Sequence, residues 1–375
     1  MNEPARPRAR ELGIAPGTLP AGPLNAITDV PGVRVGHCTV SWGGPELPSG
    51  SGPARTGVTA IFPHAGDLWR ERVVAGAVAA NGVGEVIGIS AIHEWGLIEM
   101  PVMLTNSQSA GAVYDATVRW MMDRDPAVGI EDAAMPVVGE CDDGFLNDLR
   151  GMHVHEEHVR QALDSAAAGP VAEGCVGAGT GMTCFDFKGG IGTSSRLVSA
   201  HGLPFTVGVL ALTNFGERRR LSVDGVAVGS AITDLLPLEH REGSCIVVLG
   251  TDAPLTARQC ERLAKRCALG LAVTGSVAGD GSGEIMVAFS TAQRVPRASA
   301  ALLQFTSVSN DHMGGLFEAA VDATAESVLN SLCAARTTVG RAGNVVYELP
   351  LERLAAVCLP AAAWRTPDGG PGRPG

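Results

Sequence analysis

Apolar positions along the chain fall into two kinds of pattern. Some form short consecutive or alternating runs bounded by turn residues, and others recur at three-to-four spacing. NAITDVPGVRVGHCTV reads as a turn at Pro31-Gly32 followed by a strand over 33–40. A Gly/Pro/Ser-rich loop, SWGGPELPSGSGPARTG, leads to a second strand over 58–62. Asp67 resembles an N-cap, which predicts a helix running to about Ala80. Further strands are predicted over 85–92, 101–104 and 135–139. Ala110, Val113, Ala116 and Trp120 keep helical spacing, predicting a helix over 107–123, and a second is expected over 156–168.

Residues 174–178 and 204–212 read as strands separated by a long glycine loop. At HREGSCIVVLGTDAPL a charged turn gives way at Gly243-Ser244 to a buried strand, CIVVL. A helix follows from Thr256, with Cys260, Leu263, Ala264, Cys267, Ala268 and Leu271 on one stripe. A strand over 284–289 and a long helix over 316–336 end the pattern. The helix turns Phe317, Val321, Ala325, Val328 and Leu332 inward. Strands and helices are interspersed without regular βαβ alternation, which favours stacked sheets flanked by helices over a doubly wound sheet. No internal repeat or polar linker divides the chain. The short stretch LLPLEHREG is its best candidate for a break.

Composition supplies a large core: 45% of the 375 residues are hydrophobic and 18% charged. With 49 Gly and only 4% aromatics, that core must pack Ala, Val, Leu and Ile around close backbone approaches. A net charge of −11 argues against nucleic acid or an anionic membrane surface as partner. Nine Cys without a CxxC suggest reduced, buried thiols and a cytoplasmic location. No signal peptide is expected, nor an apolar run of about 18 residues that would span a membrane. Residues 1–24 and the Pro/Gly-rich 366–375 are expected to be flexible.

Several motifs could carry chemistry. The glycines of VGAGTGM and FKGGIGTSSR lack both the P-loop and the GxGxxG spacing, and Lys188 precedes its glycines, so a tight loop against a site fits better than a nucleotide cradle. HVHEEH misses HExxH by one residue. Glu156 and Glu157 are explained by a first helical turn, so no metal or cofactor is implied. No GxSxG nucleophile elbow occurs. In GDGSGE, Ser282 and Glu284 are two apart, so both point to one side of an extended segment. A polar hairpin turn is the plainer account. Ser244 sits where chain-cutting enzymes place a nucleophile, after a Gly whose lack of Cβ exposes its carbonyl. A freed Ser244 α-amine titrates at about 7.7–8 and could serve as base beside its own hydroxyl. A serine that merely ends a turn is the alternative. Five Gly-Ser pairs occur, beginning at Gly50, Gly229, Gly243, Gly275 and Gly281, so the dipeptide alone decides nothing.

Long blocks of this chain resemble the self-processing serine aminopeptidases, which include L-aminopeptidase/D-amino-acid esterase-amidases and β-peptidyl aminopeptidases. The likeness runs from NAITDVPGVRVGH to LFEAAVDATAESVLNSL through TGVTAIFPH, GMTCFDFKGGIGTSSR, GSCIVVLGTDAPL and GSVAGDGSGEIMVAFSTA. It implies an α/β fold, a four-layer αββα sandwich of the N-terminal-nucleophile type. It also implies cleavage between Gly243 and Ser244 of a single domain, giving subunits 1–243 and 244–375 that stay associated and assemble into oligomers. Ser244 is implied as nucleophile, Ser282 and Glu284 as the proton-transfer pair, and Asn214 as an amide near the oxyanion. Around GECDDGFLND, Glu140 and Asn147 look like family positions. Asp142 stands where some members carry Tyr. An ionised carboxylate there cannot donate to an oxyanion and could instead hold a substrate ammonium together with Glu140.

The implied activity is release of N-terminal residues from short peptides, amides or esters through an acyl-enzyme. Two alternatives remain open at this point: acyl transfer to an amine through the same nucleophile, and a catalytically silent binding protein of the same fold.

Overall fold

The structure, a computed structural model, describes residues 6–239, 243–298 and 301–362. Five strands build one sheet: β1 (Arg34–Trp42), β2 (Ala54–Phe62), β4 (Val86–Ile87), β6 (Val102–Asn106) and β7 (Val137–Cys141), in the order β1-β2-β6-β7-β4. Six build the other: β3 (Glu71–Gly82), β5 (Leu97–Ile98), β10 (Gly190–Ala200), β11 (Leu203–Asn214), β12 (Ser244–Thr251) and β13 (Gly283–Pro296), ordered β10-β11-β12-β13-β3-β5. Two small hairpins pair β8 (Thr183–Cys184) with β9 (Phe187–Lys188) and β14 (Thr338–Val339) with β15 (Val345–Val346). The helices are α1 (Ile89–Trp95), α2 (Ala110–Met122), α3 (Glu156–Asp164), α4 (Val228–Ala231), α5 (Ala257–Val273), α6 (Gly314–Ala334) and α7 (Leu351–Ala362). Among the described residues no helix is long and apolar enough to cross a membrane.

Strand alternation explains the layering. In β12, Ile246 and Val248 face the five-stranded sheet and share a core with Ile61, Leu104 and Val137. Cys245, Val247 and Leu249 point the other way, onto Leu263 and Cys267 of α5 and the inner face of α6. The outer face of the five-stranded sheet (Val58, Ala60, Met103) packs on Val113 and Trp120 of α2 and Val159 of α3. The result is the four-layer αββα sandwich expected. A strand buried on both faces reads as an unbroken apolar run, which is why CIVVL was legible.

Four predicted elements are corrected. The helix expected from Asp67 is a strand, β3. Asp67 does accept the N–H groups of Trp69 (2.9 Å) and Arg70 (3.2 Å), but only across one turn. Beyond it, Val73, Ala75 and Ala77 face the inter-sheet core while the chain pairs with β13. Residues 85–92 give a two-residue strand and then α1. Residues 174–178 form a single bridge to Ile191 and a 3-10 turn. The expected glycine loop contains β10, paired with β11 along its whole length. Its Gly and Ser residues admit α6 at close range: a Cβ on Gly192 would lie 1.9 Å from the Ser327 carbonyl oxygen, and Ser194 Oγ donates to Ala323 O at 2.6 Å. The LLPLEHREG stretch marks no domain boundary, since β11 and β12 pair across it. Its residues 240–242 lie outside the described residues, as do 366–375.

The N-terminal stretch, expected to be loose, is held from Arg6 onward. Arg8 Nη2 donates to Asn25 O (2.8 Å) and Thr193 O (2.7 Å), and Ala9 is fully buried. Arg10 reaches the Glu326 carboxylate in α6 at 2.8 Å. The same carboxylate takes Arg196 Nη2 at 2.6 Å and Asn25 Nδ2 at 2.6 Å, with Arg196 and Glu326 both fully buried. Glu326→Ala would strand the Arg196 charge in the core, so unfolding by urea should show a loss of about 3–5 kcal/mol. A loss under about 1 kcal/mol would mean that water reaches Arg196.

Candidate active site

Ser244 opens β12, opposite Asn214 in the antiparallel ladder with β11. On its other side β12 runs parallel to β13, setting Cys245 against Glu284. Register therefore fixes three of the expected residues around one strand end. The Ser244 hydroxyl is buried; Oγ accepts the Gly283 N–H at 3.2 Å and donates to Val83 O at 3.4 Å. Ser282 Oγ donates to Glu284 Oε1 at 2.5 Å, and both side chains are buried. A hydroxyl bonded to a carboxylate beside a second hydroxyl is an arrangement able to take and return a proton.

Nothing larger than Gly243 fits before Ser244. A Cβ there would stand 1.8 Å from Asn214 O and 2.7 Å from Asn214 Nδ2. Asn214 is oriented at both ends of its amide: Thr183 N–H donates to Oδ1 (2.8 Å), and Nδ2 donates to Asp142 O (2.8 Å). An amide NH₂ has two hydrogens, so a second remains for a ligand.

Glu140 and Asp142, expected to act together, separate. Glu140 is buried on the Ser244 side: a Cβ on Gly84 would be 3.4 Å from Ser244 Oγ and 3.5 Å from Glu140 Oε1. Its Oε1 accepts the Glu85 N–H at 2.7 Å and its Oε2 the Ser107 hydroxyl. Asp142 is exposed and turns Oδ1 to the Gly144 N–H at 2.6 Å. It lines a small crevice with Asn214, Thr183 and Glu239. Asn147 Nδ2 donates to Asp143 at 2.9 Å and its Oδ1 takes the Arg55 N–H, so it braces the loop behind the site. Of the histidine cluster, His153 packs edge-on against Trp42 at 4.9 Å and Glu156 and Glu157 begin α3.

This chain belongs to peptidase family S58. The family model matches residues 25–346. The chain is 43% identical over 368 residues to the β-peptidyl aminopeptidase BapA of Sphingosinicella microcystinivorans, covering 94% of this chain and 91% of that protein. It also resembles the solved L-aminopeptidase/D-Ala-esterase/amidase of Ochrobactrum anthropi, a prototype for the serine aminopeptidases and a variant of the Ntn hydrolase fold. That likeness is 42% identity at a TM-score of 0.90, over 95% of this chain and 99% of that one. The Burkholderia sp. β-aminopeptidase matches at 43% identity and a TM-score of 0.88, over 96% of this S58 chain and all of that one.

Three residues of this S58 peptidase take supporting places that the sequence does not assign them. Ser107 holds Glu140 from the turn that Asn106 caps. Lys188 is fully buried and gives all three ammonium hydrogens to carbonyls, those of Gly179 (3.1 Å), Met182 (2.8 Å) and Gly189 (2.8 Å). Burial lowers its pKa, and its bonds tie down the loop that aims Thr183 at Asn214. A lone lysine among glycines was the available signal. Asp143, buried behind Asp142, is the third; desolvation pushes its carboxyl up to about 7. A carboxyl whose folded pKa lies above its unfolded 3.8 stabilises the fold only while protonated. Stability should therefore be flat below about pH 4, fall toward pH 7, and level off above it. Asp143→Asn should remove that part of the decline, measured by thermal unfolding of both proteins across the range. Parallel curves for the two proteins would contradict it.

Proposed function

We propose that this chain is a self-processing serine aminopeptidase. Ser244 Oγ attacks the Gly243 carbonyl, the amide becomes an ester, and water cleaves it to leave Gly243 as a carboxyl terminus and Ser244 as an amino terminus. The observation that carries this reading is the buried Ser244 hydroxyl at the head of β12, flanked by Gly243, Asn214 and the Ser282–Glu284 pair. The mature nucleophile then attacks the substrate carbonyl. The free α-amine and the Ser282–Glu284 pair move the proton to the leaving amine, and water hydrolyses the ester. Asn214 Nδ2 is suited to the oxyanion. Glu140, held from two sides, is suited to a substrate ammonium, which makes a free N-terminal amine the recognised feature.

Short peptides, amides and esters are the substrate class, β-amino-acid residues included, in keeping with the relatives' names. The two subunits stay paired because β12, in the smaller one, ladders with β11 of the larger one, and Arg341 Nε donates to Gly144 O across the same divide. Exposed Leu302, Leu303 and Phe305 supply apolar surface for assembly into oligomers. Nine free thiols, eight of them buried, accord with a cytoplasmic location.

Mass spectrometry of purified protein should find a fragment beginning at Ser244. Ser244→Ala should remain one chain and lose turnover of aminoacyl and β-homoaminoacyl p-nitroanilides. An intact, active wild-type chain would sink the proposal. In processed protein, Asn214→Ala should lower kcat about 10²–10³-fold, and Glu284→Gln about 10²–10⁴-fold.

A further inference from the structure

A second cavity lies on the far side of the five-stranded sheet, between that sheet and α2 and α3. It measures about 360 Å³, within the range of small-molecule sites, and Phe62, Trp120, Met121 and Leu163 supply its apolar wall. Arg34 and Phe62 pair where β1 begins and β2 ends. Glu140 and Ser107 stand at the other end of this sheet, and Ser244 belongs to the other sheet. The cavity is thus separate from the site above.

Its charges are unequally committed. Asp125 takes two bonds from Arg70 (2.6 and 2.8 Å), and Asp67 takes the N–H groups of Trp69 and Arg70. Asp164 takes Trp120 Nε1 (2.8 Å) and Arg124 Nη2 (2.7 Å). Arg34 alone of these charged groups makes no hydrogen bond or ion pair among the described residues. Its guanidinium lies 4.7 Å from the Phe62 ring centre, and its Nε is shut from solvent without an acceptor. A half-buried guanidinium that lines the cavity over an aromatic ring, its outer N–H groups accepted by no described residue, calls for a carboxylate. Phe62 and Trp120, edge to face at 5.8 Å, line the wall against which an apolar tail would rest, the Trp120 indole being stacked under the Arg124 guanidinium at 3.6 Å.

We propose that this cavity binds small monocarboxylates with an aromatic or branched aliphatic tail, the carboxylate on Arg34 and the tail against Phe62 and Trp120. Calorimetric titration of the full-length protein with 3-phenylpropionate tests it, alongside Trp120 fluorescence with Trp120→Phe as control. Saturable binding is expected, with a fluorescence change that Trp120→Phe removes. Affinity should fall at least about tenfold for Arg34→Met and for the uncharged 3-phenylpropanamide on wild-type protein. Ser244→Ala should bind as wild type does. No saturable binding, an amide that binds as well as the acid, or undiminished binding by Arg34→Met would overturn the proposal. The acid–amide comparison needs no variant, so it decides the matter even if Arg34→Met folds poorly.

Discussion

Everything near the candidate site depends on the register of one strand. β12 is paired on both edges and buried on both faces, so it can slide neither along its neighbours nor out of the layer. A shift of one residue would turn Cys245, Val247 and Leu249 from the helix-facing core to the inter-sheet core and move Ser244 off Asn214. The register that fills two cores thus also sets the hydroxyl opposite an amide and beside Glu284. No separate device is needed to hold the Ser244 hydroxyl there.

Close packing on either side of that strand is achieved with small residues. α6 approaches β10 over Gly192 and Ser194, and the Asn214 backbone approaches Gly243 to a distance that leaves no room for a Cβ. These contacts explain why a chain so rich in Gly and poor in aromatics still buries a large core. Polar groups inside it are matched individually. Lys188 has three carbonyls, and Glu326 has two arginines and an asparagine. Lys188 closes its own local loop, whereas Glu326 joins segments distant in the chain, a joint between parts that apolar packing alone would leave free to slide.

How far the sequence could be read follows from the same physics. β12 and α6 were legible as long buried runs, and α5 as a one-sided apolar stripe. β3 was not: Ala and Val in ERVVAGAVAANG suit a helix as well as a strand, and only pairing with β13 selects the latter. β10 was hidden because residues chosen for close approach to a helix look like those of a loop. The anchoring of the N-terminal arginines was invisible for another reason, since apart from Leu24 and Asn25 their acceptors lie 165 to 343 residues away.

By itself the sequence determined the alternation that buries CIVVL on two faces, the helical stripe after Thr256, and the Ser282–Glu284 spacing that puts both on one side. Those are local consequences of residue type and period. Family likeness singled out Gly243-Ser244 among five Gly-Ser pairs. Only the tertiary structure decided that Asn214 stands across from Ser244, that Glu140 and Asp142 part company, and that Arg34 faces a cavity without a partner among the described residues. Each of these depends on which strands become neighbours, and that is settled by burial summed over the whole chain rather than by any short stretch of it.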